Sequence, residues 1–208
     1  MTQRVTQSQK PPGLFGRPVR IAFVVTTAVT TVVAAVAVLL GVATPVYAAA
    51  ARPAVAEVRP VRIVISRIGV DAPVRPVGLM PSGEIEVPPL APRNLTGWYK
   101  YGPVPGSLGP AVIVGHRSTR SGPSVFARAA ELRRGDTITV VRSDRSTVSF
   151  AVDRLEQVRK TEFPTERVYG NIDHPGLRLI TCAGAFDRGT GSHSDNLIVY
   201  ASLKPAGP

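Results

Sequence analysis

Residues 177–182 read Leu-Arg-Leu-Ile-Thr-Cys and run into Ala183-Gly184. In an extended chain Leu177, Leu179 and Thr181 fall on one face, and Arg178, Ile180 and Cys182 on the other. Short apolar and β-branched runs of this kind read as strands, and the small residues that follow let the chain turn. The single cysteine of the chain therefore sits at a strand end, where a rigid backbone meets access. One thiol excludes an internal disulfide framework and any zinc site built on several cysteines. Cys182 is either a nucleophile or a small buried apolar group, and at this point the two readings carry equal weight.

The same punctuation extends in both directions. Runs rich in Val, Ile and Thr, bounded by Gly, Pro and Asp, give eight candidate strands: 61–65, 72–77, 84–87, 111–115, 137–142, 147–156, 177–182 and 197–203. In 147–153 the residues Val148, Phe150 and Val152 share one face, as a half-buried strand requires. Ser143-Asp144-Arg145-Ser146 reads as a hairpin turn, and Ser124 as the cap of a short helix through Arg133 that ends at Gly135. The 20 prolines and 19 glycines suit many turns and argue against a helical bundle. The expected fold is all-β, a closed barrel or a sandwich with one or two short helices. Trp98, Tyr99 and Tyr101 form the only aromatic cluster and read as a satellite core.

The N-terminal third has a different character. Residues 1–20 carry Arg4, Lys10, Arg17 and Arg20 and no acid, and residues 21–51 are uncharged. As a helix, 21–42 would be about 33 Å long, which matches a hydrocarbon core of roughly 30 Å. The expected organisation is a cytoplasmic basic tail (1–20), a single transmembrane anchor (21–42), an extracellular tether (43–60) and a catalytic domain (61–204) on the far side of the membrane. Val46-Tyr47-Ala48 also has the small-residue pattern of a signal cleavage site, although the apolar run exceeds the usual h-region of about 7–15 residues. Either reading puts the domain outside the cell.

The formal net charge of +11 comes from scattered residues, without the basic stripe interleaved with aromatics that nucleic-acid binding favours. No nucleic-acid partner is expected, and anionic lipid or wall polymer is the more economical attraction. No Asp, Glu and His grouping has metal-ligand spacing, and Gly189-Thr190-Gly191 lacks the strand and helix of a dinucleotide loop. No metal or cofactor is expected. Of the three histidines, His116 follows the apolar run 111–114 and Gly115 at the same kind of strand end as Cys182. His174 and His193 read as surface residues.

Leu179-Ile180-Thr181-Cys182 resembles the TLxTC signature of sortases, and Val112-Ile113-Val114-Gly115-His116 resembles the strand and histidine that precede it in those enzymes. The interval of 66 residues between His116 and Cys182 fits as well. The resemblance spans about 61–201. Within it, Cys182-Ala183-Gly184-Ala185-Phe186-Asp187 and Asp195-Asn196-Leu197-Ile198-Val199 are similar to the actinobacterial class F branch.

The resemblance implies an eight-stranded β-barrel cysteine transpeptidase of Gram-positive bacteria, monomeric and held at the outer membrane face. Cys182 would attack the Thr–Gly bond of a Leu-Pro-any-Thr-Gly-like sorting signal on a secreted protein. His116 would protonate the leaving amine and then deprotonate an incoming amine from a cell-wall precursor, usually lipid II. Thr181 and Phe186 would help to hold the substrate. Sortases also place an arginine near the start of the last strand, and Ser192-His193-Ser194-Asp195-Asn196 has none. Arg188, six residues after Cys182, is the substitute if its loop folds back. The missing arginine leaves a second function open, a catalytically silent module that binds sorting peptides. A thiol redox role lacks a resolving cysteine.

Overall fold

The computed structural model describes residues 57–205. The expected tail 1–20, the span 21–42 and most of the tether 43–60 lie outside them. Among the described residues no helix is long and apolar enough to cross a membrane.

Eight strands of the described region close into a barrel. They are β1 (Pro60–Ile65), β2 (Val70–Val77), β3 (Thr96–Tyr99), β4 (Gly109–Gly115), β7 (Thr137–Arg142), β8 (Thr147–Arg159), β9 (Pro175–Asp187) and β10 (Ser192–Leu203). Their order around the barrel is β1-β2-β3-β4-β9-β10-β8-β7, and β1 pairs with β7 to close it. The two-residue strands β5 (Ser118–Thr119) and β6 (Gly122–Pro123) form a separate ribbon after β4. Most pairs are antiparallel; β2–β3 and β4–β9 are parallel.

Alternation drives the closure. Ile63, Ile65, Ile113, Ile138, Phe150, Leu177 and Leu179 all point into one interior core and are at most 2% exposed. Each such side chain contributes about 1.5–3 kcal/mol by leaving water. The hairpin expected at 143–146 joins β7 to β8, with Arg145 in the left-handed region at φ 69° and Arg142 N–H donating to the Ser146 carbonyl at 2.9 Å.

Two expectations are corrected. The stretch 84–87 is not a barrel strand; it makes one isolated bridge, Leu79 to Ile85. The strand in its place is β3, drawn from the aromatic cluster, with Trp98 in the interior core and Tyr99 in a second core outside it. Gly97 lets β3 lie close to β2, since a Cβ there would be 2.7 Å from Val77 Cγ1. The helix expected over 124–133 is reduced to a single 3-10 turn, Ala129–Glu131. Ser124 does not cap it: its hydroxyl donates to the Arg93 carbonyl at 2.6 Å.

The second core decides where the site lies. The connection from β8 to β9 makes a 3-10 turn at Lys160–Glu162 and a short helix α1 (Thr165–Tyr169). Phe163 and Val168 from this connection pack with Val112, Val114, Ile180 and Ile198 on the outside of the barrel. Arg167 ties α1 to the sheet through Glu156 at 2.7 Å, and Glu156 also accepts from Arg154 and from the Tyr200 hydroxyl. One stretch of the barrel wall, β4-β9-β10, is thereby buried on both faces.

Candidate active site

Cys182 lies on β9 and His116 lies one residue beyond β4. The parallel ladder pairs Ala111 with Leu177, Ile113 with Leu179 and Val114 with Ile180. The offset is 66 throughout, equal to the interval from His116 to Cys182. Continued two residues past the last pair, the same offset sets the histidine, just beyond the end of β4, opposite the cysteine on β9, at the usual strand spacing of about 4.8 Å. They also share a face, because Val114 and Ile180, two residues back on each strand, both sit in the outer core. The structure corrects one of the two strand-end readings: His116 does follow the end of β4, whereas Cys182 lies within β9, which runs on to Asp187 without turning at Ala183-Gly184.

His116 is 3% exposed. Its Nε2 lies 2.7 Å from the Pro88 carbonyl, which can only accept, so Nε2 carries the proton and Nδ1 keeps the lone pair. Nδ1 is buried with no partner among the described residues. Burial lowers the His116 pKa below the ordinary histidine value, against the opposing pull of the Pro88 carbonyl, so the ring is neutral at pH 7. Burial likewise pushes the Cys182 thiol up, while the charges of Lys160 and Arg117 and a side-chain hydrogen bond from Lys160 oppose it. A thiol and a neutral imidazole can act as acid and base during attack without first forming an ion pair.

The remaining expected residues separate. Thr181 is 3% exposed, and its hydroxyl has no partner among the described residues. With Cys182 and Arg117 it lines a cleft of about 280 Å3. A larger hollow of about 900 Å3 near Arg93 and Val125 has no cysteine or histidine in its lining and shares Ala127 with the Cys182 cleft. Phe186 is exposed near the end of β9, its ring edge-to-face with His193 at 5.3 Å.

Arg188 does not fold back. β9 stays extended to Asp187, and Arg188 stands exposed at the hairpin tip one residue beyond. The cations that act on the thiol are Lys160 and Arg117. Arg178 is also remote: it bonds the Leu177 carbonyl and stacks over Tyr200, with 4.8 Å to the ring centre.

Three neighbours of the thiol escaped the sequence reading. Asn196 on β10 is the Cα partner of Cys182. Lys160 is buried just beyond β8 and donates to Ser192 Oγ at 2.6 Å. His193 is half-buried rather than a surface residue, with Nδ1 3.2 Å from the Gly184 carbonyl. The available signal for Asn196 was alternation, since it continues the face of Ile198 and Tyr200 toward the nucleophile. Among the described residues no group of His, Cys, Asp and Glu could hold a metal ion.

The sequence matches the sortase domain over residues 63–204. The chain belongs to the sortase family. Sortases are cysteine transpeptidases, and Cys182 is the only cysteine this sortase has. No curated protein matches the sequence.

Solved structures share the fold at low identity. Sortase C-1 from Actinomyces oris is 23% identical, with 71% of this chain and 76% of that one covered at a TM-score of 0.56. Streptococcus agalactiae sortase C1 in complex with MTSET is 18% identical over 72% and 71%, at 0.55. A Clostridium perfringens sortase D5 transpeptidase is 21% identical over 71% and 79%, at 0.53.

Proposed function

We propose that this sortase is anchored in the membrane of a Gram-positive cell by residues 21–42 and works on the outer face, as a monomer of the class F branch. It cleaves secreted proteins at the Thr–Gly bond of a Leu-Pro-any-Thr-Gly-like signal and transfers them to a cell-wall amine of the lipid II kind. The observation that supports this reading is the β4–β9 register, whose offset of 66 equals the interval from His116 to Cys182. The uncharged run 21–51 behind a basic tail supports the anchor, and the 182–187 and 195–199 motifs support the branch.

The chemistry is two-step acyl transfer. Sγ attacks the threonine carbonyl carbon and a C–S bond forms, while the carbonyl π pair moves to oxygen and the thiol proton goes to His116 Nδ1. Collapse breaks the C–N bond, and the leaving amine takes the proton from the imidazolium. An incoming amine then attacks the thioester, gives its proton to His116, and releases Cys182. Thr181 and Phe186 flank the path that the substrate takes past the sulfur.

The test is mass spectrometry of the full chain in detergent, mixed with a Leu-Pro-any-Thr-Gly peptide and an amine acceptor. The expected result is a peptidyl adduct on Cys182, followed by ligated product and abolished in Cys182→Ala. No adduct with any member of a small peptide library would leave the silent binding module as the better reading.

A further inference from the structure

Attack by Cys182 puts a full negative charge on the carbonyl oxygen, and neither the sulfur nor His116 can take it up. A donor and a positive charge held beside the sulfur would do so, and fixed groups do it best because they need no rearrangement as the charge develops. β9 has one strand on each side. On the β4 side the ladder ends at Val114–Ile180, with His116 two residues further on; on the β10 side the row through Cys182 holds Asn196.

Asn196 is fully buried, and neither Nδ2 nor Oδ1 has a partner among the described residues. Residues directly opposed on antiparallel strands share a face, with Cβ atoms about 4.5–5.5 Å apart. Ile180 and Ile198, two residues back on each strand, pair and sit in the outer core, so the Asn196 amide shares the face of the thiol. A buried amide with both halves unpaired is a liability for folding alone.

Beyond β10 lies β8, with Val158 opposite Asn196. Val158 packs against the outer core, and Lys160 follows it by two residues, where β8 ends. Lys160 is the one buried lysine among the described residues, held by Ser192 Oγ and bonded to the thiol. The other titratable or charged groups around the sulfur are His116 and Arg117 after β4 and His193 and Asp195 on β10. Asp195 is engaged with Gln157 at 2.6 Å and His193 with Gly184.

We infer that Asn196 and Lys160 divide between them the work of stabilising the tetrahedral oxyanion: Asn196 Nδ2 donates to the oxygen across the strand, and the Lys160 ammonium supplies the charge beside the sulfur. The inference rests on the acyl-transfer reading above. In the attack step the C–S bond forms, the carbonyl π pair moves onto the oxygen that these groups face, and the thiol proton leaves to His116. Collapse returns that pair as the C–N bond breaks.

The test compares Asn196→Ala, Lys160→Met and Lys160→Arg in the full chain. Acylation is followed with the sorting peptide and, independently of peptide choice, with p-nitrophenyl acetate; thiol alkylation by iodoacetamide is followed against pH, and melting by circular dichroism. Asn196→Ala is expected to lower the acylation rate by roughly 10²–10³-fold with KM little changed. Its alkylation profile stays in place and it melts no lower than wild type. Lys160→Met moves the alkylation profile to higher pH and slows acylation, and Lys160→Arg restores both. The inference is overturned if Asn196→Ala acylates at the wild-type rate with p-nitrophenyl acetate or melts well below wild type. It is equally overturned if Lys160→Met leaves the alkylation profile unmoved. A wild type acylated by p-nitrophenyl acetate but by no peptide would count against the sorting-signal reading alone.

Discussion

The two faces of β9 are built to different rules. The inner face sets Leu177 and Leu179 into a core where apolar contact is complete. The outer face sets Arg178, Ile180 and Cys182 on the other side of the wall, and there, among the described residues, most of the buried polar atoms without partners collect: His116 Nδ1, Arg178 Nε and both ends of the Asn196 amide, against Thr181 Oγ1 alone on the inner face. Each such atom costs about 1–3 kcal/mol. The inner face specifies the barrel. Near Cys182 the outer face carries unmet hydrogen-bonding capacity, in His116 and Asn196, that a substrate carbonyl and amine can meet.

The contrast can be broken most strongly from the outer side. His116→Gln removes the proposed base and is expected to lower transpeptidation about 10²–10⁴-fold, with melting close to wild type; peptide turnover and a thermal melt check both parts. An equal loss of stability would mean that the ring is structural.

From the inner side, Phe150→Ala opens a cavity in the closed core and is expected to remove about 3–5 kcal/mol of stability, read by urea denaturation. Activity per folded molecule is retained. If instead turnover fell with stability intact, the two faces would not be separable.

A finer test uses acid. The folded-state pKa of His116 lies below the ordinary value because of burial, so the unfolded chain takes the proton first. Stability from the neutral ring is present above about pH 6.5 and is lost as the pH falls below that value. The melting temperature of wild type is expected to drop between pH 7 and 5, and His116→Gln reduces the drop. His193, lowered chiefly by burial, adds a smaller part.

The smallest expected effect belongs to Arg188→Ala. The residue is exposed at the hairpin tip, and its loss is expected to change peptide turnover far less than Lys160→Met does. A fall as large as that of His116→Gln would bring the hairpin tip back to the thiol.

What the sequence revealed follows the same division. Alternation exposes a strand with one packed face, so β1, β7 and β8 were legible, as was the turn at 143–146. β3 was not, because four residues containing Gly97 show no period, whereas 84–87 alternates yet makes only a local bridge back to Gly78–Met80 and joins no barrel strand. α1 was missed because five residues on Pro164 carry too few turns for a helical pattern. His116 was legible as a strand end; Cys182 was legible as the lone thiol on a strand, but the end expected there was wrong, because β9 pairs with β10 past Ala183 and runs to Asp187. Lys160 and Asn196 were not, because their place beside the sulfur is set by the pairing of β8 with β10 and of β10 with β9. Proximity along the chain pointed to Arg188 instead, and an extended β9 carries it away.

The constant offset of the β4–β9 ladder has a consequence for how such an enzyme can diversify. The strands that lead to the proposed nucleophile and base are aligned by backbone pairing, so that alignment does not depend on the loops that join the barrel strands between them. The loops between β4 and β7 and between β8 and β9 can lengthen, shorten or be exchanged for new selectivity while β7 and β8 keep the barrel closed and the ladder keeps its offset. A slip of one residue in the ladder, by contrast, turns the imidazole and the sulfur to opposite sides of the wall and ends the chemistry at a stroke.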